Sequence, residues 1–185
     1  MLARAGIHCE IHPADIDESA IKLDYLRDGR INDNAEVALI LANRKAVHIS
    51  REFPENVVIG SDQILDLDGE IFDKPVDRSQ ARSQLLKLSG RPHELISAAS
   101  VAFNGEEVWS HVDRVRLVVR DLSNEFIDGY LDQIGDAAYT SPGSYQVEGL
   151  GVQLFDHMDG NHYTILGMPL LPLLNFLRTQ HMVPS

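Results

Sequence analysis

The segment 57–75 constrains the fold more than any other part of this chain, because it joins a buried strand to a tight turn. It opens with Val57-Val58-Ile59, a β-branched run typical of a strand that is buried on both faces. The pair Asp68-Gly69 follows, and Asp-Gly between two apolar stretches is a strong signal for a two-residue hairpin. The segment therefore predicts a β-hairpin on which the rest of the sheet can be built.

Charged side chains in this hairpin are the first candidates for a site. Asp62 stands where the apolar run breaks, and Lys74 ends the predicted return strand directly before Pro75. A charge at the end of a buried strand is costly unless it has a partner or a task. Asp62 alone is equally well explained as a residue that caps a turn. With Gln63 and Lys74 on the two strands of one hairpin, the functional interpretation is favoured.

The bulk composition predicts one soluble domain. A chain of 185 residues, 44% hydrophobic and 24% charged, can bury a core without disulfides, and we expect a single domain over 1–185. No apolar run is long enough for a membrane span, and we expect no signal peptide, because no charged-then-apolar segment is found in the first residues. The single cysteine, Cys9, fits a reducing cytoplasm and is interpreted as a small core residue.

The net charge of −12 argues against a nucleic-acid partner, which would call for a basic stripe. It does not exclude a small anionic substrate, because a few lysines can hold a phosphate within an acidic protein. An acidic pocket would need a metal ion to accept such a substrate. We therefore expect no nucleic-acid and no membrane partner.

The order of predicted elements indicates an α/β fold with a mixed, largely antiparallel sheet. Helices are predicted by cap residues followed by apolar periodicity, and strands by alternation and turn signals. The predicted helices cover 34–51, a segment from Asp77 to Ser89, a segment from Ser123 to Ile134, and a segment starting near Pro169. The predicted strands cover 7–12, 94–103, 107–119, a short stretch at 154–155 and 163–166, besides the central hairpin, and 13–19 is predicted to be an acidic loop.

Common catalytic motifs are missing from the sequence. It contains no G-x-x-x-x-G-K-[ST] phosphate loop, no G-x-G-x-x-G, no H-E-x-x-H and no paired cysteines, so a zinc enzyme is unsupported. Composition and pattern alone support a soluble α/β domain with a hairpin that carries a carboxylate and a lysine.

Several short motifs together resemble the Maf family of nucleoside triphosphate pyrophosphatases. They occur in that family's order and spacing: Leu41-Ala42-x-x-Lys45-Ala46, Gly60-Ser61-Asp62-Gln63, Asp73-Lys74-Pro75, Leu88-Ser89-Gly90 with His93, Tyr145-x-x-Glu148-Gly149, and a closing segment 160–170. The resemblance implies an elongated mixed sheet flanked by helices, with a central cleft, related to inosine triphosphate pyrophosphatases. It also implies a cytoplasmic homodimer.

The resemblance assigns roles to individual residues. The family hydrolyses the bond between the α- and β-phosphates, releasing a monophosphate and pyrophosphate with Mg²⁺ or Mn²⁺. Carried over by position, Asp62 is the proton acceptor and also a metal ligand, and Glu18 is the second acidic ligand. Lys45 and Lys74 would neutralise the charge of the triphosphate.

Gln63 and Glu148 resemble the branch of the family that acts on 7-methyl-GTP. The other branch, which prefers dTTP and UTP, has threonine and glutamine at these positions. A carboxylate can accept from both N1–H and the exocyclic amine of guanine, which supports Glu148 as the residue that reads the base. Two alternatives stay open: a nucleotide-binding regulatory protein without turnover, and a general phosphohydrolase that releases orthophosphate.

The resemblance starts at 1–6, which matches the helix after the family's first strand and Ser-x-Ser-x-x-Arg loop. We therefore expect that strand and that phosphate-binding loop to be absent here. An exposed sheet edge would follow from their absence.

Overall fold

The protein is described by a computed structural model that covers residues 1–27 and 33–184. Its strands are β1 (Val58–Leu67), β2 (Glu70–Phe72), β3 (Pro92–Phe103), β4 (Glu106–Val119) and β5 (Phe155–Asp159). Its α-helices are α1 (Glu18–Arg27), α2 (Ala35–Glu52), α3 (Arg78–Leu88), α4 (Asn124–Ile134), α5 (His162–Ile165) and α6 (Leu170–Thr179). The predicted α/β class, with a sheet flanked by helices, is confirmed. Ser185, the end of the predicted domain, lies outside the described residues.

The five strands form one sheet in the order β2-β1-β3-β4-β5. β1 and β2 are antiparallel, with Leu65 opposite Phe72, and β4 and β5 are antiparallel, with Arg116 opposite Asp159. The β-hairpin predicted for residues 57–75 is therefore present as β1 and β2, and it forms one edge of the sheet.

The predicted two-residue turn at Asp68-Gly69 is present, and Asn104-Gly105 forms a second turn of the same kind between β3 and β4. Asp68 and Gly69 have φ angles of 51° and 89°, and Asn104 and Gly105 have 51° and 78°. Positive φ at both central positions is what a type I′ turn requires, and its twist matches that of the flanking strands. The turn chemistry therefore fixes where β1 gives way to β2 and β3 to β4.

The chain divides into two compact units. The first contains Met1–Gln63, Ser97–Asp113 and Gly167–Ser185, and the second contains Ile64–Ile96 and Arg114–Leu166. Strands β1, β3 and β4 contribute residues to both units. Each unit has its own buried apolar residues: Leu41, Ala42, Ala46, Val101 and Leu173 in the first, and Leu65, Leu85, Leu117, Ile127 and Leu154 in the second.

Several local predictions are wrong. Residues 7–12 belong to no strand: Ile7 packs against the core of the first unit, but Ile11 is 89% exposed, so the alternation is not matched by burial. Cys9 is exposed instead of lying in the core. Residues 163–166 were predicted as a strand, but the chain turns into α5, where the Asn161 side chain accepts a hydrogen bond from the Tyr163 N–H.

Helix α1 was missed because its start looks like an acidic loop. The Asp17 carboxylate accepts a hydrogen bond from the Ala20 N–H, 2.9 Å away, and so satisfies a backbone donor of the first turn. Glu18, the first residue of the helix, is placed by this turn. Across the described residues, no helix combines the length and apolar character that crossing a membrane requires.

His93 is a buried polar residue of the second unit. It lies on β3 with only 2% of its surface exposed, and its Nε2 is 2.6 Å from the Tyr145 hydroxyl. Burial disfavours the imidazolium and lowers the pKa of His93 from 6.5 to about 4. The pair therefore stays uncharged at neutral pH and links β3 to the segment after α4.

This burial predicts how stability depends on pH. The unfolded chain takes up a proton at this imidazole near pH 6.5, whereas the folded protein does so only near pH 4. The free energy of unfolding should fall as the pH drops through that window, by about 3 kcal/mol from this group. Urea unfolding at pH 7 and pH 4.5 measures this effect. The free energy of unfolding should change less between the two pH values in His93→Phe than in wild type. His157→Gln, at an exposed position of β5, is the control. An equal pH dependence in wild type and His93→Phe would contradict the assignment.

Candidate functional site

The candidate site begins with an unusually close contact between β1 and α2. A Cβ at Gly60 would lie 2.3 Å from the Ala42 carbonyl oxygen and 2.7 Å from the Ala46 nitrogen. No side chain fits in that space, so glycine on the strand and alanines on the helix let the two backbones touch. Lys45 precedes Ala46 on the same helix, and Asp62 follows two residues after Gly60. The contact therefore sets the lysine beside the aspartate.

Lys45, Asp62 and Glu18 form one cluster. The Lys45 Nζ lies 2.5 Å from Asp62 Oδ1 and 2.7 Å from Glu18 Oε1. The side chains are 22%, 11% and 43% exposed for Lys45, Asp62 and Glu18 respectively. Three elements, α1, α2 and β1, thus bring together three of the predicted site residues within the first unit.

The charges in this cluster depend on one another. Burial alone would lower the pKa of the Lys45 ammonium, but attraction and hydrogen bonds from Asp62 and Glu18 outweigh burial and raise that pKa. Burial raises the pKa of the Asp62 carboxyl above its usual range, and Lys45 offsets this only in part. A carboxylate held in this way is a stronger base than an exposed aspartate.

The residues beside Asp62 hold its strand in place. The Ser61 hydroxyl lies 2.8 Å from both the Ala98 and the Gly167 carbonyl oxygens, which ties β1 to β3 and to the segment before α6. The Gln63 amide donates to the Ser97 hydroxyl at 2.9 Å. Successive side chains of a strand point to opposite faces, so Gln63 faces away from the side that Asp62 uses. The structure thus anchors Gln63 on β3, and its predicted contact with the base stays a prediction.

Lys74 and Glu148 lie in the second unit and are both exposed. Lys74 was predicted to end the return strand, but β2 ends at Phe72, two residues earlier. Glu148 is the third residue of a four-residue turn closed by the Gly149 N–H and the Gln146 carbonyl, 3.1 Å apart. Their predicted roles on phosphate and base stay predictions.

The two acids of the cluster suit a hard divalent cation. Mg²⁺ is usually held by one or two protein carboxylates, with waters and substrate phosphates completing its shell. Glu18 and Asp62 already direct oxygens at one shared cation, the Lys45 ammonium. No group of three or more His, Cys, Asp or Glu side chains that could hold a metal occurs within residues 1–27 and 33–184. Glu18 and Asp62 therefore supply the two carboxylates that such an ion usually takes from a protein.

Lys22 also contributes to the electrostatics of this site, although it was not identified from the sequence. Its positive charge lowers the pKa of Asp62, although less than Lys45 does. Lys22 lies four residues after Glu18 on α1, a spacing that places two side chains on one helix face. That spacing could have signalled it, had the helix been recognised.

The fold and this cluster define an α/β protein with a partly buried carboxylate–lysine site. The chain belongs to the Maf family, because the model of the Maf-like protein family matches residues 1–180. Membership confirms the resemblance that the short motifs indicated.

Curated relatives match nearly the whole chain. A nucleoside triphosphate pyrophosphatase of Paramagnetospirillum magneticum is 48% identical over 178 residues, covering 96% of this chain and 91% of that protein. A nucleoside triphosphate pyrophosphatase of Rhodopseudomonas palustris (strain BisB18) is 45% identical over 183 residues, covering 99% and 89%. A 7-methyl-GTP pyrophosphatase of Brucella abortus is 46% identical over 180 residues, covering 97% and 89%.

Proposed function

We propose that this protein is a metal-dependent nucleoside triphosphate pyrophosphatase, a hydrolase acting on an acid anhydride. It would cleave the bond between the α- and β-phosphates and release a nucleoside monophosphate and pyrophosphate. The observation that carries the proposal is the Glu18–Lys45–Asp62 cluster, in which two carboxylates share one cation. Relatives named for this activity, at 45–48% identity, support it.

Each residue of the cluster has a distinct task in this reaction. Asp62 accepts the proton of the attacking water and orients that water, which is typically worth ~10²–10⁴-fold in rate. Lys45 neutralises charge on the reacting phosphates, and Glu18 keeps the ammonium directed at the site. The role of Lys74 on phosphate, expected from the resemblance, stays a prediction.

We propose Mg²⁺ or Mn²⁺ as the cofactor, held by Glu18 and Asp62. When bound, such an ion polarises a phosphate oxygen and offsets its charge. The net charge of −12 supports this, since a triphosphate is repelled by an acidic protein unless cations compensate. The homodimer and the cytoplasmic location expected from the resemblance stay predictions.

Product analysis tests the proposed reaction. Purified protein with MgCl₂ should convert triphosphates to monophosphate and pyrophosphate, as read by ³¹P NMR, and EDTA should abolish turnover.

Asp62→Asn should lower kcat at least ~10²-fold, because the proton acceptor is lost. Asp156→Asn, on the exposed part of β5, is the matched control and should retain activity. Orthophosphate as a product would indicate a general phosphohydrolase, and nucleotide binding without products would indicate the regulatory alternative.

We further propose 7-methyl-GTP or another modified nucleotide as the substrate, with Glu148 reading the base. The proposal draws on a relative named 7-methyl-GTP pyrophosphatase that is 46% identical over 180 residues. A carboxylate accepts hydrogen bonds from both the N1–H and the exocyclic amine of guanine, and its charge favours the cationic 7-methylguanine ring. An amide would place its own NH₂ donor against one of these two guanine donors.

Glu148→Gln should therefore lower the preference for 7-methyl-GTP over dTTP about tenfold, the loss expected for one charged hydrogen bond. The measurement is the ratio of kcat/KM values for the two triphosphates. Glu106→Gln, at the exposed start of β4, removes the same charge elsewhere and should leave the ratio unchanged. An unchanged ratio in Glu148→Gln would exclude this role.

A further inference from the structure

A single side chain of α3, Gln84, contacts two separate segments of the second unit. Its Nε2 donates to the Asp73 carbonyl at 2.8 Å, and its Oε1 accepts from the Gly143 N–H at 2.9 Å. The two partners fix the orientation of the amide, because only the NH₂ end can donate and only the oxygen can accept. Gln84 therefore ties both segments to one helix position.

The first segment carries Lys74. The Asp73 carbonyl belongs to the peptide bond that leads directly into Lys74, and Pro75 follows, buried. A residue before proline is restricted to extended backbone conformations. With one side fixed by Gln84 and the other by Pro75, the backbone at Lys74 has little freedom, and the exposed lysine projects from a defined position.

The second segment leads to Glu148. Gly143 has a φ of 75°, and a Cβ there would lie 2.7 Å from both Leu65 Cδ1 and Tyr145 Cε1, so the turn is packed tightly. From Gly143 the chain passes through buried Tyr145, held by His93, into the turn that presents Glu148. The hydrogen bond from Gln84 thus fixes the start of the path that ends at Glu148.

We propose that Gln84 is a positioning residue that holds the phosphate-binding Lys74 and the base-reading Glu148 in their binding conformations, without touching the nucleotide itself. This inference rests on the proposed function, which gives both residues their roles. Each hydrogen bond has its own effect. The bond to the Asp73 carbonyl supports phosphate binding through Lys74, and the bond from the Gly143 N–H supports the preference for the base through Glu148.

Two substitutions separate these bonds. Gln84→Glu keeps an acceptor for the Gly143 N–H but replaces the donor to the Asp73 carbonyl. Gln84→Met keeps a similar length and removes both bonds. Gln80→Glu is the matched control, because it places the same charge one turn away on α3 and keeps the acceptor that Gln80 offers to the Val76 N–H.

The readout is the dissociation constant of the α,β-methylene analogues of 7-methyl-GTP and GTP, which resist cleavage at the bond in question. Gln84→Glu should weaken both analogues by the same factor, roughly 3- to 10-fold, as expected for one lost hydrogen bond. Gln84→Met should weaken both and also lower the preference for the methylated analogue by about 3-fold or more. Gln80→Glu should stay within about 2-fold of wild type.

A Gln84→Met protein that binds both analogues with wild-type preference would overturn the inference, as would a Gln84→Glu protein that matches Gln80→Glu. Thermal unfolding midpoints show whether each variant is folded, and Gln84→Glu provides the milder change. In a Glu148→Gln background, Gln84→Met should not alter the preference further, whereas a general loss of structure would. If the Gln84 variants show the predicted binding pattern relative to wild type, but wild type hydrolyses no triphosphate, the pyrophosphatase proposal fails while the role of Gln84 is supported.

Discussion

The contact between Gly60 and the backbone of α2 is the constraint on which the candidate site depends. A β-carbon at this position would overlap the Ala42 carbonyl and the Ala46 nitrogen, so only glycine allows β1 to approach the helix this closely. The approach puts the Lys45 ammonium against Asp62, at 2.5 Å. An ion pair that is this buried is favourable only with good geometry, and the backbone contact supplies that geometry.

The cluster balances burial against attraction. Burial works against the charged forms of both Lys45 and Asp62, and their mutual attraction, with Glu18 as a third partner, works for them. The pKa values of Lys45 and Asp62 are both raised. The lysine therefore keeps its proton, and the carboxylate is a stronger base than an ordinary aspartate. This is a suitable arrangement for a site that must attract phosphate and also accept a proton.

Much of this could be predicted from the sequence, because local chemistry determined it. The hairpin turn at Asp68-Gly69 follows from backbone preferences, and Asp62 follows from a charge that ends an apolar run. Gln84 could not be predicted, since its two partners are brought to it only by tertiary folding. The strand predicted for 7–12 was wrong for the complementary reason: alternation in sequence does not determine which side chains are buried, and here Ile7 packs against the core while Ile11 is exposed.

The link between the Gly60 contact and the Lys45–Asp62 pair can be measured through the pKa of the Lys45 ammonium, by NMR of the lysine side chain in wild type and in Gly60→Ala. We expect a wild-type pKa above the ordinary 10.5 and a value closer to 10.5 in Gly60→Ala, where the added Cβ pushes the helix from the strand. Gly129→Ala on α4, where a Cβ meets nothing within 4 Å, should match wild type. A wild-type pKa at or below 10.5, or an equally raised pKa in Gly60→Ala, would show that the Gly60 contact does not set the Lys45–Asp62 pair.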